Sequence, residues 1–408
     1  MLYRTHLLTE LDKRREDFAR FERGLRDEVR EAAESLRAVG GMTCAEVRER
    51  AARSASRGVT LPSAELDANA PRGVAVPFAE RWRSHEEARA WAARVLTRRT
   101  TFAADGSQIY PGRECTMPVA AVQVASFENP HTPDGRYTKE AHFKVLTPDE
   151  LLEGDRAFES PEQVIAARRF ELEVKTICDF VTRARGWRGR NERAPVAFLD
   201  GSLLISSLRK GTEVMFARRY AQALGELLRL SRECEVPVVG YIDQSFAPDL
   251  RGLVEALDPE RARTGVYDAQ LLRARAGGDG APMLAAWGDR TVFWLCRRAN
   301  LAPEFYDEGG EPLVGFAYLQ TTSDGNPARV EVPAWVFAQG LLEEVFDAVR
   351  AECVVGNGYP YAIETADAAA AMTGRDREQF LRVMQDFAAR HELSFRIARK
   401  PSSKARRR

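Results

Sequence analysis

Two short stretches decide the fold: Thr101-Phe-Ala-Ala-Asp105-Gly106-Ser107 and Pro195-Val-Ala-Phe-Leu-Asp200-Gly201-Ser202. Each reads as an apolar strand that ends in Asp-Gly-Ser. Asp-Gly is also a common hairpin turn. The second copy argues against a turn, because Leu203-Leu204-Ile205 stays apolar where a returning strand should alternate. An aspartate at the carboxyl end of a buried strand, beside a glycine that lets the backbone approach closely, is where open α/β sheets place ligand-binding groups.

Outward from the first stretch, Met117 to Ser126 and Tyr137 to Leu146 read as strands, separated by Pro111-Gly112 and by Pro130 to Gly135. Three consecutive strands of this kind predict an antiparallel meander. A helix is expected over 161–185, a strand over Pro195 to Asp200, a helix over Glu213 to Arg232 and a strand over Val236 to Ile242. That order predicts parallel pairing through crossover connections. Further strands are expected at Thr291 to Cys296, Val314 to Thr321 and Ala328 to Val332, with helices at 339–352, 361–372 and 375–391.

The helix between the two aspartates carries Glu171 and Glu173. At 100° per residue from Ile165, the apolar side chains fall between about 60° and 180°; Glu173 lies at about 80° and Glu171 at about 240°. Glu173 therefore faces the buried side, where a carboxylate needs a counter-charge or a metal. Later, Gly356-Asn-Gly-Tyr-Pro-Tyr-Ala-Ile-Glu364-Thr-Ala-Asp367 runs from a turn into an Ala-rich helix that places Glu364 and Asp367 on one face. The order is strand aspartate, meander, helical glutamate, strand aspartate, late helical aspartate. It matches a ribonuclease H-like mixed sheet, in which four carboxylates gather at one edge. Such a cluster repels itself unless cations bind.

Around this core, residues from about 5 to 38 read as one long helix, with Leu11, Phe18, Leu25 and Ala32 in heptad steps and Gly40-Gly41 after them. Residues 54–78 read as a loop-rich linker and His85 to Leu96 as a short helix. The expected organisation is an N-terminal helical extension and linker over 1–95, a nuclease-like domain over 96–392, and a basic tail, read as disordered, over 393–408. The chain has 408 residues and 44% hydrophobic content, which excludes wholesale disorder. No apolar run reaches the roughly 18 residues of a spanning helix, so a cytoplasmic protein with no membrane partner is expected. Six cysteines at 44, 115, 178, 234, 296 and 353 and five scattered histidines exclude zinc-knuckle and CxxC chemistry, leaving carboxylates and hence hard divalent ions. The 60 bases balance 60 acids, but seven bases lie in Arg396 to Arg408.

The two Asp-Gly-Ser motifs, the helical glutamate, Ala328-Arg-Val-Glu-Val-Pro-Ala-Trp335 and Gly358 to Asp367 together resemble the bacterial form of the NurA nucleases, over roughly 100–375. The resemblance implies Mn²⁺-dependent DNA cleavage, with Mg²⁺ as an alternative, and 5′-to-3′ exonuclease and single-strand endonuclease character. It also implies a homodimer and partnership with a HerA-type hexameric translocase in DNA end resection and double-strand break repair. Asp105 and Asp200 match the strand-end metal ligands and Glu173 the helical one, with Glu171 as the alternative register. Asp367 falls where many relatives carry histidine. Tyr241 matches a tyrosine near the scissile phosphate, although Asp243 stands where some relatives have a base. A two-metal hydrolysis is implied, with DNA entering along Arg183, Arg185, Arg188, Arg190 and Arg193 and with Trp187 for base stacking. Two other readings compete. An actin-like or sugar-kinase-type ATPase would want glycine- and Thr/Ser-rich phosphate loops that the chain after Gly240 lacks. A non-catalytic DNA-repair docking protein would use the long helix and the tail as tethers.

Overall fold

The computed structural model describes residues 3–54, 58–112, 115–152, 161–190, 192–205, 213–259, 265–277, 280–322 and 325–397. The basic tail beyond 397 lies outside them. The helices begin with α1 (Arg4–Lys13), α2 (Arg15–Val39), α3 (Cys44–Ala52), α4 (Glu65–Ala68) and α5 (His85–Leu96). Next come α6 (Pro148–Leu152), α7 (Pro161–Ala184), α8 (Glu213–Cys234), α9 (Asp249–Leu257) and α10 (Asp268–Arg273). The last four are α11 (Ala334–Ala338), α12 (Leu342–Val355), α13 (Tyr361–Ala370) and α14 (Gly374–Arg390). The strands begin with β1 (Leu61–Pro62), β2 (Ala75–Val76), β3 (Thr101–Ile109), β4 (Ala120–Asn129), β5 (Thr138–Leu146) and β6 (Val196–Asp200). They continue with β7 (Val238–Ile242), β8 (Arg290–Thr291), β9 (Trp294–Leu295), β10 (Val314–Leu319) and β11 (Ala328–Pro333). None of the described helices is long and apolar enough to cross a membrane.

The chain divides into two compact units: Met1–Arg81 with Ile242–Ala299 and Gly315–Val330, and Trp82–Tyr241 with Asn300–Val314 and Glu331–Arg408. The second unit holds the meander. β3 pairs antiparallel with β4 through all nine of its residues, and β4 pairs antiparallel with β5. On its other edge β3 pairs in parallel with β6 over Thr101 to Ala103, and β6 pairs in parallel with β7. The order β7-β6-β3-β4-β5, a meander with parallel strands added beside its first strand, is the ribonuclease H-like arrangement expected from sequence. α7 packs on β3, β4 and β6, and α13 on β3 and β4. Thr43, Ser84 and Thr373 each accept a backbone N–H as helix N-caps, which fixes the starts of α3, α5 and α14.

In the first unit β1 pairs with β9, β9 and β8 both pair with β10, and β2 pairs with β8. α1 has no buried residue, whereas Ala32, Ala33, Leu36 and Val39 of α2 are buried.

Three expectations are corrected here. The single helix over 5–38 is two, interrupted at Arg14, whose φ/ψ of −97° and 3° leave the helical region. Residues 54–78 are not simply linker: they carry β1, α4 and β2, and Thr60, Ser63 and Leu66 are buried. Asp105 does not end its strand. β3 runs on to Ile109 because β4 continues to supply hydrogen-bonding partners after the parallel pairing with β6 stops at Ala103.

Candidate metal and active site

Side chains along β3 point alternately to its two faces, and the two faces meet different helices. Phe102 stacks on Phe180 of α7, with centroids 4.4 Å apart. Gly106, on the same face, lies under Glu173. Asp105 and Ser107 point the other way, toward α13. Asp105 shares a hydrogen bond with Asp367, and Ser107 Oγ accepts the Met372 N–H at 3.3 Å.

Glu173 reaches β3 because residue 106 has no side chain. A Cβ there would stand 2.4 Å from Glu173 Oε1 and 2.8 Å from Arg169 Cγ, so any larger residue would push both away. The helical face assigned from periodicity is the one observed: Glu173 is 6% exposed. Glu171 points elsewhere and accepts two guanidinium N–H groups of Arg219, at 2.6 and 2.8 Å. Burial works against the Glu171 charge, but this pairing holds its carboxyl below the ordinary value.

Asp200 ends β6, opposite Tyr241 of β7. Gly201 turns the chain out of the strand with φ at +136°, a conformation that favours glycine. The loop is then held by Glu331 of β11, which is 1% exposed and whose Oε2 accepts both the Ser202 O–H and the Leu203 N–H at 2.8 Å. The Asp200 carboxylate itself stays exposed, and its Oδ1 accepts the Tyr359 O–H at 2.7 Å. Asp367 sits on α13. The start of that helix is secured by the buried Glu352, whose Oε2 accepts the Ala362 N–H at 2.8 Å.

These placements bring Asp105, Glu173, Asp200 and Asp367 into electrostatic reach of one another with little positive charge to match. Burial raises the Asp105 carboxyl to about 6; the Gly106 N–H pulls it down and Asp367 pushes it up. Burial raises Glu173 to about 7, offset by Arg169 and reinforced by the charges of Asp105 and Asp200. Among the described residues, no three His, Cys, Asp or Glu side chains stand close enough to form a ready-made metal cage. The donors nonetheless fit a divalent cation. Glu173 Oε1 is a buried oxygen that accepts no hydrogen bond, facing Arg169 Nε at 3.3 Å. All four carboxylates offer oxygen, the donor that suits Mg²⁺ and Mn²⁺.

The other expected site residues have these surroundings. Tyr241 is fully buried, and its ring meets Tyr359 edge-on at 5.1 Å. Tyr359, which the run Gly358-Tyr-Pro-Tyr displays and which sequence reasoning passed over, donates its O–H to Asp200. Arg169 was missed as well, although its position four residues before Glu173 on one helix signals an i,i+4 pair. Trp187 is 6% exposed and donates its indole N–H to the Glu235 carbonyl, which removes it from the exposed stacking surfaces. Arg183 pairs with Glu128, Arg188 with Glu235 and Arg190 with Glu192. Arg193 donates to the Val95 carbonyl, and Arg185 is exposed. This arginine group is largely engaged within the molecule.

The family model of the NurA domain matches residues 99–372. No curated protein matches the chain. Among solved structures, one described as NurA with manganese is similar at 8% identity and a TM-score of 0.40, over 71% of this chain and 89% of that one. Another, NurA bound to dAMP and manganese, is similar at 9% identity and a TM-score of 0.34, over 68% and 86%. The catalytic domain of human endonuclease V is similar at 13% identity and a TM-score of 0.33, over 84% and 95%.

Proposed function

The chain belongs to the NurA family of nucleases, and from that premise we propose that it hydrolyses DNA phosphodiesters with divalent cations, Mn²⁺ or Mg²⁺, held by Asp105, Glu173, Asp200 and Asp367. The observation that carries this reading is the buried Glu173, raised to about 7 within reach of the Asp105 and Asp200 charges and offset by Arg169 at 3.3 Å. Bound cations would supply an activated water and charge stabilisation at the leaving oxygen, the chemistry of two-metal hydrolysis.

The chain's own groups prepare the site. Tyr359 fixes one Asp200 oxygen and leaves the other for a ligand. Glu331 pins the loop that follows Asp200, and Glu352 anchors the helix that carries Asp367. Asp367 lies within hydrogen-bond reach of Asp105 and its charge helps to raise the Asp105 carboxyl, a repulsion that a bound cation would relieve. The finer assignments rest on family membership: 5′-to-3′ exonuclease and single-strand endonuclease action, a homodimer, and end resection in double-strand break repair with a HerA-type translocase.

The test is cleavage of single-stranded and duplex-ended DNA by wild type and Asp200→Asn, with Mn²⁺, with Mg²⁺ and with chelator. Cation-dependent cleavage that Asp200→Asn loses is expected. Cleavage that survives the substitution or the chelator contradicts the reading.

A further inference from the structure

Arg169 makes an unusual pair. It lies on α7 one turn before Glu173, with its side chain 33% exposed. Its Nη1 donates to the Gly106 carbonyl at 3.0 Å, which holds the guanidinium over the strand that carries Asp105. Its nearest nitrogen to Glu173 is Nε at 3.3 Å, and neither that nitrogen nor Glu173 Oε1 completes a hydrogen bond. The same helix shows what a closed pair looks like: Glu171 and Arg219 meet through two short N–H···O bonds. Arg169 and Glu173 attract each other without locking.

We propose that Arg169 is a resident counter-ion, which neutralises Glu173 in the cation-free protein, competes with the divalent cation for that carboxylate and, once displaced, contacts a DNA phosphate. The proposal rests on the metal-dependent nuclease reading. A buried glutamate with no positive neighbour is costly, and Arg169 is the nearest group that relieves it. A guanidinium and a divalent cation repel each other at such a range, so the two cannot both sit on Glu173. The Arg169 side chain is long, partly exposed and tied by one backbone carbonyl, so it can leave. Its planar fork suits a phosphate once free.

The experiment is calorimetric titration of full-length protein with Mn²⁺ alone, for wild type, Arg169→Gln and Arg169→Lys. Removing the competitor should tighten Mn²⁺ binding about tenfold in Arg169→Gln, while Arg169→Lys, which keeps the charge, stays within about twofold of wild type. A residue that merely braced the site would give the opposite sign for Gln. With Ca²⁺ in place of Mn²⁺, Arg169→Gln should bind single-stranded DNA more weakly, with a salt slope reduced by about one phosphate contact. Wild type that binds no Mn²⁺ overturns the nuclease reading and this proposal with it. Wild type that binds, together with an Arg169→Gln that binds no tighter, overturns the proposal alone. Equal tightening in both variants also overturns it, because charge would then not be the competing property.

Discussion

In the first unit Asp249 is buried between two arginines, with Arg298 at 2.6 Å and Arg329 at 2.8 Å from its Oδ2. In the second unit Glu173 is equally buried, but it has one arginine at 3.3 Å and two aspartates that add like charge. The consequences run in opposite directions. Burial alone would raise Asp249, yet Arg329 and Arg298 hold it below its ordinary value, whereas Glu173 is pushed up to about 7. Around Asp249 itself the charge is paired, although burial and the Asp249 charge raise the neighbouring Asp268 to about 7. Arg329 also stacks on Phe316 at 3.6 Å, and the neighbouring Asp268 accepts the N–H groups of Leu250 and Arg251 and the O–H of Tyr318. A carboxylate that its own chain has paired with two arginines, as Asp249 is, is architecture. One left short of positive charge has binding free energy to give to an incoming cation.

Exchanging the substitutions between the clusters is the hardest test of this contrast. Asp200→Asn should lower Mn²⁺-dependent cleavage by about 10³-fold or more, the equivalent of roughly 4 kcal/mol. It should not lower the thermal midpoint of the cation-free protein, because it removes a repulsive charge. Asp249→Asn should do the reverse. It leaves Arg298 and Arg329 without their carboxylate and should cost about 3–5 kcal/mol of stability, read by denaturant unfolding. The folded fraction should keep its Mn²⁺ affinity. Loss of that affinity in Asp249→Asn would erase the distinction.

Smaller changes sharpen it. Tyr359→Phe removes the one neutral hydrogen bond seen on Asp200 and should weaken Mn²⁺ binding and cleavage by about 10- to 100-fold without a change in fold. Gly106→Ala forces a methyl group against Glu173 and should cost about 1–3 kcal/mol of stability while weakening Mn²⁺ binding. The pH signature is the subtlest. Glu173 is raised on folding, so the folded state binds its proton more tightly than the unfolded state does. Its contribution is present below about 4.5, its ordinary value, and is lost as the pH rises through about 7. Thermal unfolding of cation-free protein across that window should show the fall, and Glu173→Gln should flatten it.

What the sequence displayed and what it hid divide along physical lines. Periodicity showed that Glu173, not Glu171, faces the core, because α7 buries one continuous stripe. The strand order was legible in the Gly/Pro punctuation between β3, β4 and β5. The end of β3 was not: Asp105-Gly106-Ser107 has turn chemistry, and only the continuing ladder with β4 makes it strand. Trp187 and the arginines beside it looked like an exposed basic loop. Whether an arginine is free depends on acids distant in sequence, such as Glu128 and Glu235, and no local pattern reports them. Tyr241 and Tyr359 touch each other, so only the fold decides which of the two meets the carboxylates.

The most direct test is the location of manganese by anomalous scattering in crystals of the full-length protein grown with Mn²⁺. The charge deficit predicts manganese bounded by Asp105, Asp200 and Glu173, with Arg169 moved off Glu173 Oε1. Crystals in which manganese binds elsewhere, or in which the Arg169–Glu173 pair stays closed over an empty cluster, would contradict it.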